Sequence, residues 1–160
     1  MPRHQSPVGG RPTRTAAPVS SPPPDDPIAA LNQVLSEVID LVQDVKQAHR
    51  KVPETHALHA LLDQLFADLR SWARLLLERD EALGVSPLGD ISSVAGRRPT
   101  NLWPGAASDD EVRGIVGEHL DRLAQHVVAA LAEQVDEGSR AALVHVEREL
   151  VARRKALSDL

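Results

Sequence analysis

Two histidines, two carboxylates and one arginine are the residues of this chain whose types and spacing could do chemistry. His59, Asp63, Arg74 and Glu78 follow one another at intervals of four, eleven and four. At about 100° per residue these intervals fall within roughly a third of a helical turn, so a helix here carries them as one polar stripe. The stripe borders an apolar face of Leu58, Leu62, Phe66, Leu69, Ala73, Leu76 and Leu77. His49 stands at the end of the apolar-periodic segment before it. Imidazole and carboxylate beside a buried face are ligand types suited to iron or zinc. Arg74 is the wrong type, because a guanidinium is a permanent cation with no lone pair to donate.

The elements that must position these residues are helices. Leu31, Val34, Leu35, Val38, Val42 and Val45 repeat at helical intervals, with Asp26 as expected N-cap and Pro27 at the first helical position. Pro53 ends this first helix, and Glu54 or Thr55 opens the next, which runs to about Leu83 before Gly84. Residues 85–107 are rich in proline and glycine and read as a long connection, with a possible short helix over Asp90–Ala95. Ser108 and Glu111 have the spacing of a capping box for a third helix carrying Val112, Ile115, Val116, Leu120, Leu123, Val127 and Leu131. That helix is expected to stop near Gly138, and a fourth to follow from Ser139 with Leu143, Val144, Leu150, Val151 and Leu157. Four long helices with one long crossover between the second and third describe an all-α, ferritin-like four-helix bundle over 27–160.

Bulk composition narrows the function classes. The 160-residue chain has no cysteine, which excludes disulfides and thiolate metal sites. Its net charge of −5 argues against nucleic-acid binding by the whole surface. No apolar run approaches the roughly 20 residues of a membrane span, and the N-terminus lacks the apolar stretch of a signal peptide, so a cytoplasmic location is expected. Residues 1–26 mix proline with Ser, Thr and Gly and are expected to form a disordered tail bearing Arg3, Arg11 and Arg14.

An iron centre inside a ferritin-type bundle uses a Glu-x-x-His pair on each of two helices. The chain has no Glu-x-x-His, so a site at His49 and the second helix lies at the bundle edge and needs a second subunit. The local sequence resembles the Dps family, the DNA-binding proteins from starved cells or mini-ferritins. The resemblance is carried by Lys46-Gln47-Ala48-His49, by Ala57 through Phe66, by Glu78-Arg79, by Ala82-Leu83-Gly84 and by Ser86-Pro87-Leu88. It implies a homo-oligomeric cage, a dodecamer, with iron(II) oxidised at subunit interfaces, ferric mineral held inside, and DNA protection under stress with possible nucleoid association. By the same resemblance His49, His59 and Asp63 are ligands from one subunit and Glu78 is a ligand from its two-fold mate. A further aspartate of that family falls on Arg74. Arg50 stands where the family usually has tryptophan, the link from His49 to His59 is about two residues shorter, and the last helix lacks a common tryptophan. The ferroxidase site is therefore expected to be degenerate. Either Arg74 pairs with Asp63 or Glu78 in an ion-pair cluster, or His49, His59, Asp63 and Glu78 still bind metal weakly.

The remaining candidates each have a bland alternative. His119 and His126 are seven apart and share a face that carries no carboxylate, and they read as surface or core-edge residues. His145 and Glu149 are expected to be a helix-surface pair, and His56 is assigned no role. Asp136 and Glu137 are either an ordinary acidic turn or, by the resemblance, acids near a three-fold pore. Arg3, Arg11 and Arg14 could hold DNA phosphates, against the alternative of a solubilising tail. No nucleophile, phosphate loop or dinucleotide fingerprint is present.

Overall fold

The computed structural model describes residues 26–85 and 107–160. They form four helices: α1 (Pro27–His49), α2 (Ala57–Ala82), α3 (Asp109–Ala132) and α4 (Glu137–Ser158). There is no strand among the described residues. The tail arginines, Asp90–Ala95, Trp103 and the Ser86-Pro87-Leu88 segment lie outside them. No helix among the described residues is long and apolar enough to cross a membrane.

Local chemistry sets most helix ends. Asp26 caps α1, accepting from the Ile28 N–H at 2.9 Å, with Pro27 just inside. Ser108 and Glu111 make the full capping box of α3, and the Ser108 backbone N–H donates to Glu111 at 2.7 Å. This bond holds the Glu111 carboxyl below its ordinary value. Gly84 takes a positive φ of 74° just past α2, a conformation that side chains with a Cβ disfavour.

Two helix starts differ from the sequence expectation. α2 begins at Ala57, not at Glu54 or Thr55, because Pro53 and the turn His56 N–H to Pro53 O (3.0 Å) occupy those residues. At the other hairpin α3 already ends at Ala132, and Gly138 lies inside the first turn of α4 rather than stopping α3. A Cβ on Gly138 would come within 2.6 Å of the Arg79 guanidinium carbon, so this glycine makes room for a side chain of α2. Asp136 is the N-cap, bonded to Ser139, and its other partner is Arg79 at 2.7 Å. The side-chain bond from Ser139 lowers the Asp136 carboxyl from its ordinary value, with the Arg79 charge adding to it.

The helices pack in the ring order α1–α2–α4–α3, and every neighbouring pair runs antiparallel. Pairs across the seams show the directions. Arg153 meets Asp68 and Gln64, Trp72 meets Glu149, and Arg79 meets Asp136, so α4 descends as α2 rises. His56 Nδ1 lies 2.5 Å from Asp109, which puts the start of α3 at the end of the bundle where α2 also starts. A long connection between α2 and α3 is thus required, as in the ferritin-like arrangement.

One continuous core fills the bundle, from Leu31, Val34 and Val38 on α1 through Leu62, Leu69 and Leu76 on α2 to Val116, Leu123 and Val127 on α3. Leu143, Val146 and Leu150 close it from α4. Val144 and Val151, expected in the apolar stripe of α4, are instead exposed. Trp72 is fully buried and donates its indole N–H to Glu149 Oε2 at 2.7 Å.

Trp72→Ala should cost about 3–5 kcal/mol, mainly by leaving a cavity in the core, read as an earlier urea midpoint at fixed protein concentration. Asp136→Ala should be less stable than the parent at neutral pH, and this difference should shrink in acid. The lowered carboxyl value means the contribution of Asp136 is present above the ordinary value of 3.8 and is lost as pH falls through the lowered one. Equal urea midpoints for parent and variant at neutral pH would remove the cap from this account.

Candidate metal centre

The end of α1 and the start of α2 meet through a short link, residues 50–56, pinned to the core by buried Val52. His49 is the last residue of α1, and His59 and Asp63 lie one turn apart on α2. The hairpin brings all three together. One ligand atom from each lies within 4.8 Å of the others. The two imidazole rings are 3.8 Å apart between centroids and inclined at 43°.

Two details orient the ring nitrogens. His59 Nδ1 lies 2.9 Å from the Val52 carbonyl oxygen. A carbonyl only accepts, so Nδ1 carries a proton, and in the neutral ring Nε2 then keeps the lone pair, the arrangement that metal-ligating histidines use. His49 Nε2 is buried and lies 2.7 Å from Asp63 Oδ1, yet it makes no hydrogen bond. The contact is an ion-pair distance off the hydrogen-bond direction, so the nitrogen has no satisfied donor or acceptor role within the chain. Two imidazoles and a carboxylate so placed fit a divalent first-row metal. A pocket of 260 Å³ opens beside them, lined by Lys46, His49, Arg50, Asp63 and Phe66.

Glu78 and Arg74 are elsewhere. Glu78 is fifteen residues beyond Asp63 on the same helix, which at 1.5 Å per residue is about 22 Å. Arg74 Nε instead pairs with Glu78 at 3.2 Å, both side chains exposed. Of the two pairings open to Arg74 within a chain, the structure holds the one with Glu78. Asp63, 64% exposed, keeps its outer side open.

Known proteins similar to this chain show its family and its fold. No family model matches the chain. The DNA protection during starvation protein of Agrobacterium fabrum (strain C58) is 30% identical over 119 residues, 71% of this chain and 70% of that one. The chain belongs to the Dps family. A solved Dps from Microbacterium arborescens, in its high iron form, has 26% identity and a TM-score of 0.72, covering 88% of this chain and 96% of that one. Membership of the Dps family accounts for the bundle and its crossover; the high iron form is a property of the Microbacterium protein.

Among the described residues, His49, His59 and Asp63 are the one group of three or more metal-ligand types brought together. His119 and His126 do acquire carboxylates, which the sequence did not reveal because α1 supplies them. His119 Nδ1 lies 2.8 Å from buried Asp44, and His126 Nδ1 lies 3.7 Å from Glu37. The seven-residue interval on both helices is the signal that could have paired them. His145 and Glu149 are neighbours at 3.5 Å as expected, but Glu149 also serves Trp72. His56, given no role from sequence, is the N-cap residue of α2 and the partner of Asp109. Val52 was missed entirely, since a backbone carbonyl leaves no trace in side-chain patterning.

His59→Ala removes a ligand and releases the Val52 contact, so Co²⁺ affinity should fall at least tenfold, with helix content by circular dichroism unchanged. Unaltered Co²⁺ titration curves for both His59→Ala and His49→Ala would remove this cluster from consideration as a metal site.

Proposed function

We propose that the chain is the subunit of a Dps-type homo-oligomeric cage, a dodecamer in the cytoplasm, that takes up iron(II) as substrate and protects DNA. The observation that carries this reading is the convergence of His49, His59 and Asp63 at one end of α2 while Glu78 stands about 22 Å along the same helix. A second chain packed antiparallel along α2 brings its Glu78 toward the first chain's triad. The exposed stripe on α2 then becomes an interface. In this reading residues 27–160 form the cage-building domain, residues 1–26 a separate tail, and acids near Asp136 and Glu137 line a three-fold opening.

The same antiparallel placement delivers Arg74 beside the metal position. A guanidinium there repels a divalent ion and supplies no ligand. Iron(II) oxidation is accordingly impaired relative to a site with a carboxylate at this position. The Arg74–Glu78 pair supports the alternative of a structural or DNA-binding cage without ferroxidase activity, because it occupies the carboxylate that the partner needs. The chain's own residues then do three things: His49 and His59 present imidazole nitrogens, Asp63 offers a negative charge, and the Val52 carbonyl fixes the His59 ring.

Replacing Arg74 by Asp separates the two readings. The Arg74→Asp particle should oxidise iron(II) markedly faster than the parent, measured by the rise in ferric absorbance. It should also be less stable without metal, because carboxylates then crowd the two-fold, and should regain stability on adding a divalent ion. No rate gain and no metal-dependent stabilisation would show that Arg74 does not silence the site. The native mass should be that of a dodecamer, and deletion of residues 1–24 should leave it intact. If Arg3, Arg11 and Arg14 hold DNA, that deletion should also weaken a salt-sensitive gel shift.

A further inference from the structure

The pocket beside the metal ligands has a charge imbalance that the ligands do not explain. Lys46 in the last turn of α1 and Arg50, the C-cap residue that follows it, lie one turn apart on the same side as His49, and both line the pocket with Asp63 and Phe66. Among the described residues neither cationic side chain has a hydrogen bond or an ion pair. The nearest carboxylate in the pocket, Asp63, is turned to His49 at 2.7 Å. Within one chain a divalent ion at His49, His59 and Asp63 meets one carboxylate. A second chain placed as proposed adds Glu78 but also the cation Arg74, so the ion with Lys46 and Arg50 still leaves an excess of positive charge around the cavity. The three ligands of one chain, even with a fourth from a second chain, leave room on a first-row ion that takes more than four ligands.

We propose that this pocket takes a small oxyanion of the inorganic phosphate class, held jointly by Lys46, Arg50 and the metal ion at His49, His59 and Asp63. The proposal rests on the metal reading of the cluster. Each element has its physical reason. A guanidinium and an ammonium are the side chains that bind phosphate oxygens, the first as a planar fork and the second as a point charge. Without the anion their charges repel the metal; with it the repulsion becomes a bridge. Metal and anion therefore bind cooperatively, and the coupling is reciprocal by linkage. Phe66 forms the apolar wall of the pocket, with the Arg70 guanidinium over its ring at 5.8 Å. Iron delivered with phosphate would accordingly be retained better than iron delivered in chloride.

The test uses the full chain and Co²⁺ as a spectroscopic probe, titrated in chloride and in inorganic phosphate at matched ionic strength. In the parent, phosphate should tighten Co²⁺ binding by about tenfold, within the usual range of coupling between sites. The Lys46→Ala/Arg50→Ala double variant should show two opposite changes. Its Co²⁺ affinity in chloride should rise, because two cations near the ion are gone, and its phosphate effect should vanish. A merely structural pair of surface side chains predicts neither change. Single variants, each retaining one cation, should keep part of the coupling and guard against a folding artefact. Co²⁺ binding that is equally tight in chloride and phosphate overturns this proposal and leaves the metal reading standing. Failure of Co²⁺ to bind under either condition overturns both. Coupling that survives in the double variant overturns the assignment to Lys46 and Arg50.

Discussion

An α-helix keeps the residues on its surface apart by a fixed rise, and α2 is where that constraint decides the most. Its twenty-six residues hold Asp63 near one end and Glu78 near the other. No rotamer closes a gap of about 22 Å. The chain brings His49, His59 and Asp63 together through a tight hairpin, and Glu78 of the same chain cannot join them. The proposed two-chain site follows from this division. The α1–α2 link brings His49 beside His59, the Val52 carbonyl sets the ring, and Arg74 and Glu78 farther along the stripe are exposed.

Seams between helices obey a related rule. Charged residues do not sit in the core alone; they bridge neighbouring helices, with Arg154 gripping Asp121 through two bonds of 2.6 and 2.8 Å. This fork lowers the Asp121 carboxyl and raises the Arg154 guanidinium from their ordinary values. Exposed pairs of this kind contribute on the order of 0–1 kcal/mol each. The apolar interior carries the stability, and the bridges identify the antiparallel register. The buried His119–Asp44 contact differs, since losing one partner there would strand the other away from water.

Much of this was readable from the residues because it is local. Caps at Asp26 and Ser108, the stop at Gly84 and the apolar spacing all act within a few positions, so four helices were expected within a few residues of where they occur. His49, His59 and Asp63 were legible because two of them share a helix turn and the third ends the preceding helix. What escaped is non-local. Glu37 and Asp44 find His126 and His119 across more than seventy positions. Gly138 looked like a terminator, since nothing in its neighbourhood announces that Arg79, nearly sixty residues earlier, needs the space. Val144 and Val151 are apolar at helical spacing yet face outward, because periodicity shows a stripe but not which side is covered.

The environment of Trp72 gives the molecule a built-in optical signal. The chain has two tryptophans and no tyrosine, so near-ultraviolet emission comes from very few rings. Trp72 is sealed between α2 and α4 with its indole nitrogen bonded to a carboxylate on the opposite helix. The emission that Trp72 contributes thus reports whether those two helices remain together. Trp72 stands thirteen residues beyond His59 on α2, about 20 Å along the helix, whereas separation of α4 from α2 would open it to water and shift its emission to the red.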